Sequence, residues 1–189
     1  MITKLYPSVF YHIYNRGNNR ADIFREERNY AYFLQLYARH IDPIAETYAY
    51  CLLKNHFHLL IRVKDAPVGE AASQKFSNFF NAYAKAFNRS YQRTGALFQR
   101  PFQRIPLTSD SHLQVLVAYI HYNPQKHGFV DDYRDWPYSS YPVLLSMQPT
   151  PLVREQVLDS FGGRERFLEY HSIIDLTGFQ NLSPKICAN

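Results

Sequence analysis

Apolar and polar positions along this chain change period several times, and each change marks an element. Val9 to Asn15 is rich in β-branched and aromatic residues and reads as a strand. Arg16-Gly17-Asn18-Asn19 is a turn signal. From Glu26 to Ile41 the apolar or aromatic residues Tyr30, Phe33, Leu34, Tyr37 and Ile41 recur with helical spacing, and Asp42-Pro43 ends that helix. Glu46 to Leu53 is a second strand, Lys54-Asn55 a short turn, and His56 to Val63 a third strand antiparallel to the second. Ala71 to Tyr91 returns to helical spacing, with Ala72, Phe76, Phe79, Phe80, Tyr83 and Phe87 on one side and Thr94-Gly95 as its stop. Phe98 to Leu107 is extended, with a fourth strand beginning near Phe102. Ser109 or Asp110 caps a last strong helix with Leu113, Leu116, Val117 and Ile120 as its buried stripe, and Pro124 is expected to end it.

The order β-α-β-β-α-β-α is that of split βαβ units. It predicts an α+β fold: a ferredoxin-like antiparallel sheet with helices packed on it, followed by one more helix. This domain is expected over residues 1–130. Residues 131–189 are read as an appendage packed on that core, with short helices near Leu152–Ser160 and Glu165–Tyr170 and with Trp136 as its anchor.

Charge adds a partner class. The chain has 189 residues and a net charge of +5, but Lys54 to Arg104 holds nine basic and two acidic residues, a net of +7. A basic segment interleaved with Phe and Tyr fits a nucleic-acid groove, although a solvated basic face has the same composition. No stretch reaches the roughly 18 apolar residues of a membrane span, so no membrane partner is expected. Cys51 and Cys187 are too few and too distant for a zinc knuckle or a disulfide framework, and Met1 to Ile13 lacks a signal-peptide pattern. A reducing cytoplasm is the expected compartment.

The candidate chemistry starts at His56-Phe57-His58. Residues two apart on a strand face the same way, so both imidazoles project together while Phe57 and Leu59 point into a core. Two neutral imidazoles side by side supply half of a divalent-metal site. Alone, the motif more often marks a pair of solvent-facing strand histidines. On the last helix, turning about 100° per residue from Leu113 puts Tyr119 near 240°, His112 near 260° and Asn123 near 280°, on one edge beside the apolar stripe. Tyr122, the rival phenol, falls near 180° and faces away. If this helix crosses the sheet near the third strand, Asn123 can complete a His-His-amide site with Tyr119 beside it.

With those residues in place the chain resembles the single-tyrosine HUH transposases, the group that includes the REP-associated tyrosine transposases. The resemblance lies in Asn55-His56-Phe57-His58-Leu59-Leu60 and in Tyr119-Ile120-His121-Tyr122-Asn123-Pro124. It extends to Tyr11-His12-Ile13-Tyr14-Asn15-Arg16-Gly17, Leu97-Phe98-Gln99-Arg100 and Trp136-Pro137-Tyr138-Ser139-Ser140-Tyr141, and covers roughly Pro7 to Leu145. It implies Tyr119 as the nucleophile and His56, His58 and Asn123 as ligands of a divalent cation. Some relatives have glutamine where this chain has the shorter Asn123. Mg²⁺ is the physiological ion implied, while Mn²⁺ suits imidazole ligands better. His112 and His121 are candidates to touch and orient the ligands. Arg16, Lys75, Lys85, Arg89, Arg93, Arg100 and Arg104 are candidates for phosphate contacts.

The implied activity is cleavage and rejoining of single-stranded DNA through a covalent 5′-phosphotyrosine, at a site found through a neighbouring hairpin. The implied setting is a bacterial cytoplasm, at the nucleoid when acting. A second copy of the chain is a partner if Tyr119 reaches across a homodimer. Two other classes fit the residues: a sheet that binds single-stranded nucleic acid without cutting it, and a metal-dependent phosphodiesterase that uses water.

Overall fold

The computed structural model describes residues 4–65, 72–107, 109 and 111–173. In chain order the elements are β1 (Phe10–Arg16), α1 (Glu27–His40), β2 (Ala45–Leu53), β3 (His56–Val63), α2 (Ala72–Ser90), β4 (Gln103–Pro106), α3 (Ser111–Lys126), α4 (Ser140–Leu145), α5 (Arg154–Ser160) and α6 (Arg164–Ile173). The four strands form one antiparallel sheet in the order β2-β3-β1-β4. That is the order in which two split βαβ units interleave, so the expected α+β architecture holds.

The period of two in β1 and β3 divides the molecule into layers. Tyr11, Ile13, Phe57, Leu59 and Ile61 turn to one face. There they pack with Phe33 and Tyr37 of α1 and with Phe76, Phe79, Phe80, Tyr83 and Phe87 of α2. The aromatic stripe of α2 is therefore core. On the other face, Ala49, Cys51 and Leu53 of β2 and Leu60 of β3 meet Leu116, Val117 and Ile120 of α3. Trp136, Tyr141, Leu144, Val157 and Phe167 belong to this second cluster, so residues beyond 130 share a core with α3 and the sheet. The Trp136 indole N–H donates to the Leu52 carbonyl at 2.9 Å, which fastens the segment after α3 to β2.

Two details differ from the sequence reading. First, α3 does not stop at Pro124 but continues to Lys126. A proline two residues from a helix end removes one N–H, and the bonds His127 N–H to Asn123 C=O and Phe129 N–H to Pro124 C=O close the helix beyond it. The stop is Gly128, whose φ of +68° is the left-handed conformation that ends helices. Second, Ser140–Leu145 is a short helix that the sequence did not announce, with the Ser139 hydroxyl accepting from Tyr141 N–H. The stretch from Phe98 is extended as expected, bridged to the sheet at Gly17, and the fourth strand begins at Gln103, next to the expected Phe102. Asp110 and Ala71, the expected cap and helix start, lie outside the described residues.

Candidate active site

The register of β1 against β3 assembles the site. Arg16 lies opposite His56, Tyr14 opposite His58 and His12 opposite Leu60. All six therefore face α3. The β2–β3 turn is held from outside: Ile23 and Phe24 N–H both donate to Lys54 C=O, and Gly17 N–H donates to Asn55 C=O at 2.8 Å. This fixes the point at which His56 enters the strand.

Both motif histidines are buried and oriented. His56 Nδ1–H donates to Asn55 Oδ1 at 2.6 Å. His58 Nδ1 is 2.9 Å from His12 Nε2. In each ring the Nδ1 edge is engaged and Nε2 is buried with no hydrogen-bond partner. Burial lowers the pKa of His56 to about 3 and that of His58 well below the usual imidazole range, with neighbouring histidines, Lys126 and, for His56, Arg16 adding to it. Both rings are thus neutral at pH 7, the state in which imidazole binds metal.

From α3, Tyr119 and Asn123 face the same rings. The Tyr119 ring lies 5.8 Å from His58 and 6.3 Å from His12, edge to face in both cases. Asn123, fully buried, donates from Nδ2 to the Tyr119 carbonyl at 2.7 Å, and its Oδ1 is buried without a partner. The donor atoms that the chemistry needs, two imidazole nitrogens and a carboxamide oxygen, are therefore among the buried atoms left without partners. A buried polar atom without a partner costs on the order of 1–3 kcal/mol, so three at one place fit a cation. As placed, no three His, Cys, Asp or Glu side chains among the described residues form a ready-made metal cluster.

Of the other neighbours, His12 and Tyr14 belong to the segment Tyr11–Gly17 that shares in the resemblance, while Lys126 and His127 were not singled out in the sequence. His12 is buried against His58, and Tyr14 stacks on both. Lys126 Nζ sits 4.9 Å from the centre of the Tyr119 ring, over its face. His127 packs edge to face on His56 with ring centres 4.8 Å apart. The available signals were weak: His12 lies on a strand with the parity of Tyr14, and His127 repeats the four-residue spacing of Tyr119 and Asn123.

Two candidates stand elsewhere. His121 is buried between α3 and the later helices, with Nδ1 2.9 Å from His171 Nε2 and Nε2 2.8 Å from the Ser140 hydroxyl. Both its nitrogens are taken, so it does not orient His56 or His58. His112 is half-buried in the first turn of α3, about 10 Å along the axis from Tyr119 at the helical rise. Tyr122 faces the same way as His121, and its hydroxyl donates to the His171 carbonyl.

The basic residues divide. Lys85, Arg100 and Arg104 line a groove of about 660 Å³ between α2 and the segment before β4, with Asn15, Asn81 and Asn88 beside them. Arg104 lies over the Phe102 ring at 3.7 Å and donates to Ser73. Arg93 donates to Asn88 within its own turn. Lys75 and Arg89 are on α2 away from that lining, and Arg16 sits at the rim of the histidine cluster with its Nε buried. No helix among the described residues is long and apolar enough to cross a membrane.

No protein-family model matches the chain. It is 34% identical over 103 residues to a Haemophilus influenzae protein whose name assigns it to the REP-associated tyrosine transposases, an alignment covering 51% of this chain and 58% of that relative. The chain thus spans less than two thirds of the curated relative it matches. Among solved structures, a REP-associated tyrosine transposase bound to a REP hairpin superposes with a TM-score of 0.58 at 18% identity, over 79% of this chain and 87% of that one. This second likeness is one of fold. The sequence relative bears out the resemblance to REP-associated tyrosine transposases read from the motifs, and the fold neighbour bears out the expected fold.

Proposed function

We propose that this protein cleaves and rejoins single-stranded DNA through a covalent bond to Tyr119. The observation that carries the reading is that His56 Nε2 and His58 Nε2 on β3, and Asn123 Oδ1 one helical turn from Tyr119, are all buried without partners, with the Tyr119 ring against His58. A divalent cation bound there would neutralise the non-bridging oxygens of a phosphodiester.

The chain's residues account for the rest. Asn55 and His12 fix the two imidazoles with Nε2 inward. Asn123 keeps its oxygen available because its amide nitrogen is tied to the Tyr119 carbonyl. The Tyr119 phenol oxygen attacks phosphorus and loses its proton; the bond from phosphorus to the 3′-oxygen breaks, and that oxygen takes a proton. The product is a 5′-phosphotyrosine and a free 3′-hydroxyl, so the reaction is reversible and strands can be rejoined. Tyr119 is only 2% exposed, so the Lys126–His127 end of α3 has to shift for a phosphodiester to enter. The groove with Lys85, Arg100 and Arg104 would hold flanking nucleotides by phosphate contact. The REP hairpin bound by the fold neighbour makes a hairpin the proposed landmark.

The test is Tyr119→Phe against wild type on end-labelled single-stranded DNA from the flanks of the protein's own gene, with Mg²⁺ or Mn²⁺, on a denaturing gel. Wild type should give a protein–DNA adduct and a cut strand; the variant should bind DNA and give neither. Cleavage that persists in Tyr119→Phe would replace this reading with a water-using phosphodiesterase. A wild type that binds and never cuts would make the protein a binding module.

A further inference from the structure

His127 follows the last residue of α3, yet its backbone N–H still donates to the Asn123 carbonyl at 3.0 Å, so it keeps the helical path. Tyr119, Asn123 and His127 therefore line one edge at intervals of four. The His127 side chain is half-buried, and its Nε2 is buried with no hydrogen-bond partner, as are His56 Nε2, His58 Nε2 and Asn123 Oδ1. Its ring stands 4.8 Å from that of His56, and His56 stands 5.2 Å from His58, each pair close to perpendicular. Two imidazoles that share one ion at about 2 Å each have ring centres roughly 4–6 Å apart. A histidine that only packed at a helix end would turn its nitrogens to water or to a carbonyl; this one turns Nε2 inward.

We infer that His127 is a third imidazole donor to the cation of this site, and that the resulting three-nitrogen, one-oxygen set binds Mn²⁺ in preference to Mg²⁺. This rests on the reading of His56 and His58 as cation ligands. The chemical ground for selectivity is the donor type. Mg²⁺ seeks oxygen ligands and gives up water reluctantly, whereas imidazole suits the transition metals. Each nitrogen in the set moves the preference away from Mg²⁺. The three rings are not closed into a cluster as placed; closing it calls on side-chain rotation of His127, the most exposed of the three.

The test uses the full chain, titrated calorimetrically with MnCl₂ and, separately, MgCl₂, together with pulsed electron paramagnetic resonance of the bound Mn²⁺. Wild type should bind Mn²⁺ at least tenfold more tightly than Mg²⁺, with nitrogen couplings from three imidazoles. His127→Ala should lose tenfold or more in Mn²⁺ affinity, move closer to parity between the ions, and show two imidazoles. His56→Ala is the reference for the underlying site. If His56→Ala abolishes Mn²⁺ binding while His127→Ala binds as wild type does, the third donor is refuted and the site stands. If neither substitution changes Mn²⁺ binding, or wild type binds none, both readings fall. The coupling count on wild type needs no variant, so a His127→Ala protein that folds poorly does not shield the inference: two couplings would overturn it.

Discussion

His12 Nε2 stands 2.9 Å from His58 Nδ1, and both rings are buried between the sheet and α3. This contact decides which nitrogen of His58 faces the site. When His58 donates from Nδ1, its Nε2 lone pair points inward. Groups that orient a metal-binding histidine this way typically contribute ten- to a hundredfold in affinity. His12→Ala is therefore expected to weaken Mn²⁺ binding by about ten- to a hundredfold, while His12→Gln, which keeps an oxygen able to accept from His58, recovers part of it. Calorimetry on the two variants checks this; equal losses in both would reduce His12 to a packing residue.

Acid should unfold the protein early. Five histidines, His12, His56, His58, His121 and His171, are buried. Burial lowers His12 and His56 to about 3 and His171 to about 4, and holds His58 and His121 well below the ordinary range. In the unfolded chain each takes up a proton below about 6.5; in the fold each stays neutral. Stability present above 6.5 is thus lost as pH falls toward the folded values, by about 1.4 kcal/mol per group per pH unit at most. Urea midpoints measured without added metal should fall steeply from pH 7 to pH 5. A flat profile would mean that the histidines are not shielded from protons.

The sheet was legible because β1 and β3 alternate cleanly and the Lys54-Asn55 turn is short, so strand order followed from element order. The His56/His58 pair and the Tyr119/Asn123 edge were legible for the same reason: each lies within one element with a fixed period. What the sequence hid depends on contacts between elements. His12 gained its place from the antiparallel register of β1 on β3, which no local pattern specifies. His127 was hidden behind Pro124, read as the helix end, although α3 runs two residues further. His121 was misplaced as a neighbour of the ligands because its partner, His171, comes from α6, fifty residues on. The helix at Ser140–Leu145 is too short to leave a periodic signature.

Gly17 should tolerate no side chain. A Cβ there would lie 1.9 Å from the Ala21 carbonyl oxygen, a backbone atom that cannot swing away. The same residue donates from its N–H to Asn55 C=O, and the Asn55 side chain holds His56. Gly17→Ala is expected to cost on the order of 1–3 kcal/mol of stability, the usual range for overpacking. It should also weaken cation binding by moving the β2–β3 turn. Thermal melts and Mn²⁺ titration of the variant test both, and an unchanged melting temperature would show that the Asn18–Arg20 turn relaxes without resistance.

Lys126 should assist attack by Tyr119. Its ammonium lies over the phenol ring at 4.9 Å, on the rim through which a phosphodiester would enter. A cation this close stabilises the negative charge that gathers on the phenol oxygen and on the phosphate during attack. Lys126→Gln is therefore expected to slow adduct formation by about tenfold or more at pH 7. The side chain is exposed, so folding stability should hardly change. Single-turnover adduct formation on single-stranded DNA across pH 6–9 distinguishes the two ways Lys126 could act. A profile displaced to higher pH means that it acts on the phenol. A uniform loss, parallel to wild type at every pH, means that it acts only by holding the DNA phosphate.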